Sequence, residues 1–381
     1  MSAAGVLLAA GFVVLLAFPG SGAPGASQAS RPPNPSQAAS TPVAPSANLS
    51  APVAGSAAAS ESLGSIPAIT ASPASTVAPA HTPLPTRVPT AAPTPMPTAA
   101  STLSTPITPI TGAGCSVFPL SNVWNRDISA LPVAANSQAL VGSIGLGASL
   151  HPDFSATGYG IPINVVSAST PRVSVSFGYA AESDPGPYPI PAAPLIEGGS
   201  DRHILLWDTA DCFLFELYAA GGSGGAWTAG SGAIWDLRSN ALRPDGWTSA
   251  DAAGLPILPG LVRYDEVSRG AILHALRFTA PRTRTAHIYP ARHDAGESSY
   301  ASLPPMGLRV RLKASVDISG FGPQARVILV ALQRYGMILA DNGSPWYVTG
   351  APDPGWNDDE LHRLQQLTGA DFEVVDTSTL R

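Results

Sequence analysis

Apolar and polar positions alternate most clearly between Ser200 and Ala220, SDRHILLWDTADCFLFELYAA. Two alternating runs, HILLWD and CFLFELY, flank Thr209-Ala210, which predicts a β-hairpin with a two-residue loop. That loop sets Trp207 opposite Cys212, Leu205 opposite Leu214 and His203 opposite Glu216. Side chains alternate across a strand, so Ile204, Leu206, Phe213, Phe215 and Leu217 share one purely apolar face, the core face. His203, Leu205, Trp207, Cys212, Leu214, Glu216 and Tyr218 share the other, an amphipathic face.

Period-two patterning predicts further strands at Ile161–Val166, Val173–Tyr179, SGAIWDL, Leu273–Thr279, Thr285–Tyr289, Leu308–Asp317, Met337–Ala340, Trp346–Thr349 and Phe372–Val375. Helical spacing is clearest over Pro323–Tyr335. Pro stands at its start, Val327, Ile328, Ala331 and Leu332 recur along it, and Gly336 follows. Ala135–Ser143 and Asp358–Leu367 predict short helices. Many short strands, long loops and two or three short helices predict a mainly β single domain, a β-sandwich or jelly roll.

Composition divides the chain near residue 113. With 40 Pro, 37 Gly and 12% charged residues, the sequence is unusual for one globular unit. Residues 1–23 carry the apolar run VLLAAGFVVLLAF, 13 residues long, then PGSGA. That length suits a signal-peptide core better than a membrane span, with an uncleaved anchor as the alternative. Residues 24–112 are mostly Pro, Ser, Thr and Ala, with almost no aromatic residues to offset the entropy of ordering them. They read as an extended stalk. The folded domain is expected over 113–381. Its cysteines, Cys115 and Cys212, are expected to pair in an exported protein, closing a long loop worth up to about 4.7 kcal/mol. A net charge of −6 gives no support to nucleic-acid binding. No further membrane contact, no cofactor and no oligomer beyond a monomer are expected.

The segments SDRHILLWD, LRSNALRPDGWTSADAAGLPILPGLVRYDEV, LKASVDISGF and YGMILADNGSPWY resemble a family of secreted bacterial proteins of unassigned function. The resemblance spans most of Cys115 to Asp376. It implies no activity, cofactor or catalytic residue.

Candidate chemistry therefore comes from constellations. No Walker loop, dinucleotide fingerprint, HExxH, CxxC or nucleophile elbow is present. His287 and His293 in HIYPARH lack a third metal ligand in sequence, and no metal is expected. His203 and Glu216, beside Trp207 and Tyr218, form either a burial-tuned acid/base pair or a salt bridge closing the hairpin. Arg243, Trp247, Asp251, Tyr264 and Asp265, on one long loop with Asp245 and Glu266, suit a sugar cleft, or else a loop that caps itself. Arg309, Arg311, Lys313, Ser315 and Asp317 share a strand face, either solvated or aimed at a uronate. Asp341, at a strand end, forms a turn with Asn342-Gly343 or faces a cleft.

A secreted or surface-tethered protein on a stalk suits an extracellular polysaccharide. The first expectation is a glycoside hydrolase with Glu216 as one carboxyl, Asp251 or Asp265 as its partner and His203 as tuner. The alternatives are a polysaccharide lyase using Arg311 and Lys313, and a carbohydrate-binding or adhesion domain without catalysis.

Overall fold

A computed structural model describes residues 111–112, 114–296 and 298–380. The expected signal peptide and nearly all of the stalk lie outside the described residues. Among the described residues the protein is mainly β, 27% strand against 18% helix, with several sheets and no barrel, in keeping with a sandwich-like domain.

The helix Pro323–Arg334 forms where the spacing predicts it. Pro sits in its first turn, and Ala325, Ile328, Leu329, Ala331 and Leu332 are buried along one side. Gly336 ends it at φ 65°, with its N–H donated to Ala331 O at 3.0 Å. A Cβ there would lie 2.2 Å from Val310 O, so only glycine fits. The chain then runs directly into Met337–Asn342, an inner strand of the largest sheet.

That sheet has six strands, in the order Phe372–Val374, Arg309–Leu312, Met337–Asn342, Leu276–Ala280, Tyr347–Thr349, His151–Asp153. It is mixed. Leu276–Ala280 runs parallel to Met337–Asn342, and Tyr347–Thr349 runs parallel to His151–Asp153. The expected strand Leu308–Asp317 stops at Leu312, so Lys313, Ser315 and Asp317 do not continue the stripe begun by Arg309 and Arg311. No strand forms over Thr285–Tyr289. The backbone there makes only isolated bridges, at Arg284 and His287.

The hairpin Ile204–Asp208 and Phe213–Tyr218 lies inside a four-stranded sheet with Ile163–Val166 and Ser231–Asp236. Its loop is longer than the sequence suggests. The Asp208 carboxylate accepts the N–H groups of Ala210 and Asp211 at 3.2 and 3.0 Å, and Cys212 takes φ 58°. Asp208 therefore pairs with Phe213, and Leu205, not His203, stands opposite Glu216. A slip of two residues preserves the faces but changes every partner.

Both faces of the hairpin are buried, which corrects the expectation of an open amphipathic face. Leu205, Trp207 and Leu214 join the main core with the large sheet and the loop around Leu255 to Val262. Ile204, Leu206, Phe215 and Leu217 pack into a second core with Tyr188, Val175 and Trp227. Ala226–Ala229 and Val175–Phe177, strands of a three-stranded sheet, cover that side. The Cys115–Cys212 disulfide is formed and ties the start of the domain to the hairpin turn, 97 residues on.

Candidate functional site

Glu216 is sealed. It has no exposed surface, and three donors converge on it: Ile257 N–H at 2.9 Å, Leu258 N–H at 3.0 Å and Trp235 Nε1–H at 3.1 Å. Burial pushes its carboxyl up to about 7, while the backbone N–H groups of Leu258 and Ile257 pull the other way. The carboxylate fastens the long loop to the middle of the hairpin.

The other sequence candidates are also engaged. Arg243 donates to Thr248 O, Asp184 and Glu182 O and lies over the rings of Trp235 and Trp247. Tyr264 packs edge-on against Trp356. Asp265 sits in the first turn of the helix Tyr264–Ser268 and pairs with Arg269 at 3.2 Å. Arg311 binds Glu373 at 2.8 Å and the carbonyls of Ile128, Ser129 and Leu131. Lys313 Nζ donates to Ala370 O. His287 lies between Asp294 and Asp245. His293 Nδ1 is 2.8 Å from Ala252 O. Among the described residues, no three His, Cys, Asp or Glu side chains are grouped to hold a metal ion.

What the fold does assemble is a charge cluster around two buried cations. Arg277, on an inner strand of the large sheet, clasps Asp251 through Nε at 3.0 Å and an η nitrogen at 2.8 Å. Its other η nitrogen reaches Thr349 Oγ1 at 2.6 Å. His203 places Nδ1 2.5 Å from a Glu197 carboxylate oxygen and Nε2 3.0 Å from Ala250 O. Both partners are acceptors, so the ring satisfies them by carrying both protons. Burial lowers the pKa of His203, but the hydrogen bond and charge of Glu197 outweigh it and leave it raised. Glu197 answers in kind. Desolvation raises its pKa, and the bond to His203 pulls it below the ordinary value.

Asp341 completes the cluster from the end of the neighbouring strand. It is half-buried, and its carboxyl is pushed up to about 7, first by desolvation and then by the charge of Asp251, against the pull of Arg277. Tyr218, beside His203 with ring centroids 5.7 Å apart, feels the charge of Asp341 and keeps part of its surface open. Asp153, on the edge strand, also has a raised carboxyl, chiefly through burial, with Glu197 adding to it. Carboxyls driven to opposite protonation states in one cluster mark acid and base roles.

Of the sequence candidates, this cluster contains His203, Asp251, Tyr218 and Asp341. It excludes Asp265, Arg243, Trp247, Tyr264, Arg311 and Lys313. Trp207 is buried in the main core. Glu197, Arg277, Asp153 and Thr349 escaped the sequence reading. Arg277 left a signal, a lone cation in the strand LRFTA. Such a residue, inside an otherwise apolar strand, needs acceptors for its donors, which Asp251 and Thr349 supply here.

No family model, no curated protein and no solved structure matches the chain. No helix among the described residues is long and apolar enough to cross a membrane. The disulfide is compatible with an extracellular protein.

Proposed function

We propose that the protein is an extracellular glycoside hydrolase acting on a polysaccharide, with Asp341 as general acid and Glu197 as the ionised carboxylate. The observation that carries this reading is Asp341: a residue that keeps part of its surface open, its carboxyl pushed up to about 7 chiefly by desolvation, in a cluster with Arg277 and the His203–Glu197 pair. Asp341 gives its proton to the glycosidic oxygen as that bond breaks. Glu197 takes a proton from water, whose hydroxyl adds to the anomeric carbon and leaves a new reducing end. His203 and Arg277 touch no substrate in this scheme. His203 holds Glu197 below its ordinary pKa, and Arg277 clasps Asp251 in place.

The lyase alternative loses support because Arg311 and Lys313 already hold backbone carbonyls. The test is a reducing-end assay across a panel of soluble polysaccharides at pH 4 to 9. Turnover should fall as pH rises through about 7, where Asp341 loses its proton, and again in acid, where Glu197 gains one. An unsaturated product absorbing in the ultraviolet would replace the hydrolase reading with a lyase. Retention on polymer with neither product would replace it with a binding domain.

A further inference from the structure

Tyr218 is the member of the charge cluster that the proposed chemistry leaves without a task. It ends the second hairpin strand, on the same face as Glu216, and packs against the main core. Two neighbours hold its ring. The His203 ring lies beside it, centroids 5.7 Å and planes 47° apart, and His203 is itself fixed through both nitrogens, to Glu197 and to Ala250 O. The backbone of Gly230 lies against the ring as well, its N–H donated to Tyr218 O at 2.7 Å. A Cβ on Gly230 would come within 2.7 Å of the ring, so a glycine there leaves room for it.

The hydroxyl of this fixed ring makes no hydrogen bond among the described residues. Nor is it sealed. The described side-chain polar atoms that are both shut off from water and unbonded are Trp207 Nε1, Asp208 Oδ2, Arg263 Nε and Arg284 Nε. Tyr218 Oη is not among them, so water reaches it. A half-buried tyrosine usually has a protein partner for its hydroxyl. A rigid ring whose hydroxyl is left to water is a donor already in position for a ligand that displaces that water. Burial, and then the charges of Asp201 and Asp341, raise the phenol above its ordinary pKa. It therefore stays protonated, and a donor, through the range near 7 where Asp341 titrates. The cations of the cluster are already engaged, Arg277 with Asp251 and Thr349, His203 with Glu197. An uncharged oxygen of a sugar ring is the acceptor that suits such a donor.

We propose that Tyr218 is a substrate-contacting residue, whose hydroxyl donates a hydrogen bond to an uncharged sugar oxygen beside the bond that Asp341 protonates. This inference rests on the glycoside hydrolase reading above and adds to it a donor that neither Asp341 nor Glu197 supplies.

The experiment compares the full-chain wild type with Tyr218→Phe, which removes the hydroxyl and keeps the ring against His203 and Gly230. Release of reducing ends from soluble xylan, glucomannan and laminarin is measured across pH, with native gels containing the same polymers and thermal melts in parallel. On a polymer that the wild type cleaves, Tyr218→Phe should lower kcat/KM about tenfold, the scale of one neutral hydrogen bond. Its melting temperature should match the wild type, because no bond inside the protein is lost. Both limbs of its pH profile should stay in place, because His203 still holds Glu197. Wild-type kcat/KM in the variant overturns the proposal. So does a clearly lower melting temperature, which would put the hydroxyl's partner inside the protein, or a displaced acid limb, which would make Tyr218 a support for the His203–Glu197 pair. If the wild type is retarded by a polymer but cleaves none, the hydrolase reading falls. The contact then stands if Tyr218→Phe weakens that retardation and falls if it does not. A wild type neither retarded by nor active on any of the three polymers overturns both.

Discussion

Glu216 and Asp341 carry carboxyls shifted to the same place, about 7, by the same principal cause, desolvation. Their settings are otherwise opposite. Glu216 has no exposed surface and three N–H donors. Asp341 keeps part of its residue surface open, its side chain accepts the N–H of its own neighbour, Asn342, and it faces the charges of Asp251, Arg277 and His203. A shifted pKa therefore does not by itself mark an acid that can meet a substrate. Exposure decides between them, and hydrogen-bond saturation tells why Glu216 is kept: it organises the backbone at Ile257 and Leu258.

The largest effect expected is a control that touches neither carboxyl. Replacing Cys115 and Cys212 with Ser opens a long loop in the unfolded chain, and should cost up to about 4.7 kcal/mol in a denaturant melt. Next is Glu216→Leu, which strands Trp235 Nε1–H and two backbone N–H groups in the core. A loss of about 3 kcal/mol or more is expected, with the specific activity of the folded fraction unchanged. A fall in activity without a fall in stability would erase the distinction between the two carboxyls.

Asp341→Asn should act in the reverse direction on stability. The folded carboxyl stays protonated to about 7, above its ordinary 3.8. Its contribution is complete below pH 4 and is lost as pH rises through about 7. Asparagine cannot ionise, so the variant should melt a few degrees above the wild type at pH 8 and close to it at pH 4. Thermal melts at the two pH values check this.

The smallest effect is at His203. His203→Gln removes the cation that holds Glu197 below its usual range. The acid limb of the activity profile should move to higher pH, and a pH–rate profile of the variant checks it.

Much of the fold was legible in the sequence. Pro at the start and Gly336 at the end bracket a helix that forms almost as spaced, and the hairpin forms where the alternation lies. The two cysteines pair as an exported chain suggests. The hairpin register was not legible, because Asp208 captures two turn N–H groups and lengthens the loop. That slip separates His203 from Glu216 and hands His203 to Glu197 instead. Nor could the sequence show that a second layer buries both hairpin faces, which turns a half-polar stripe into core. The charge cluster depends on strand order: Asp153, Thr349, Arg277 and Asp341 meet only through pairing among four strands drawn from three distant stretches of the chain. No local pattern encodes that order.

The most direct test of the difference between the two carboxyls is the rate at which Asp341→Asn releases reducing ends from the polymer that the wild type cleaves, measured at pH 6. The expected result is a fall of at least about 10²-fold, the lower end for losing a general acid, in a protein that melts no lower than the wild type. Turnover within a few-fold of the wild type would contradict it and remove Asp341 from the chemistry.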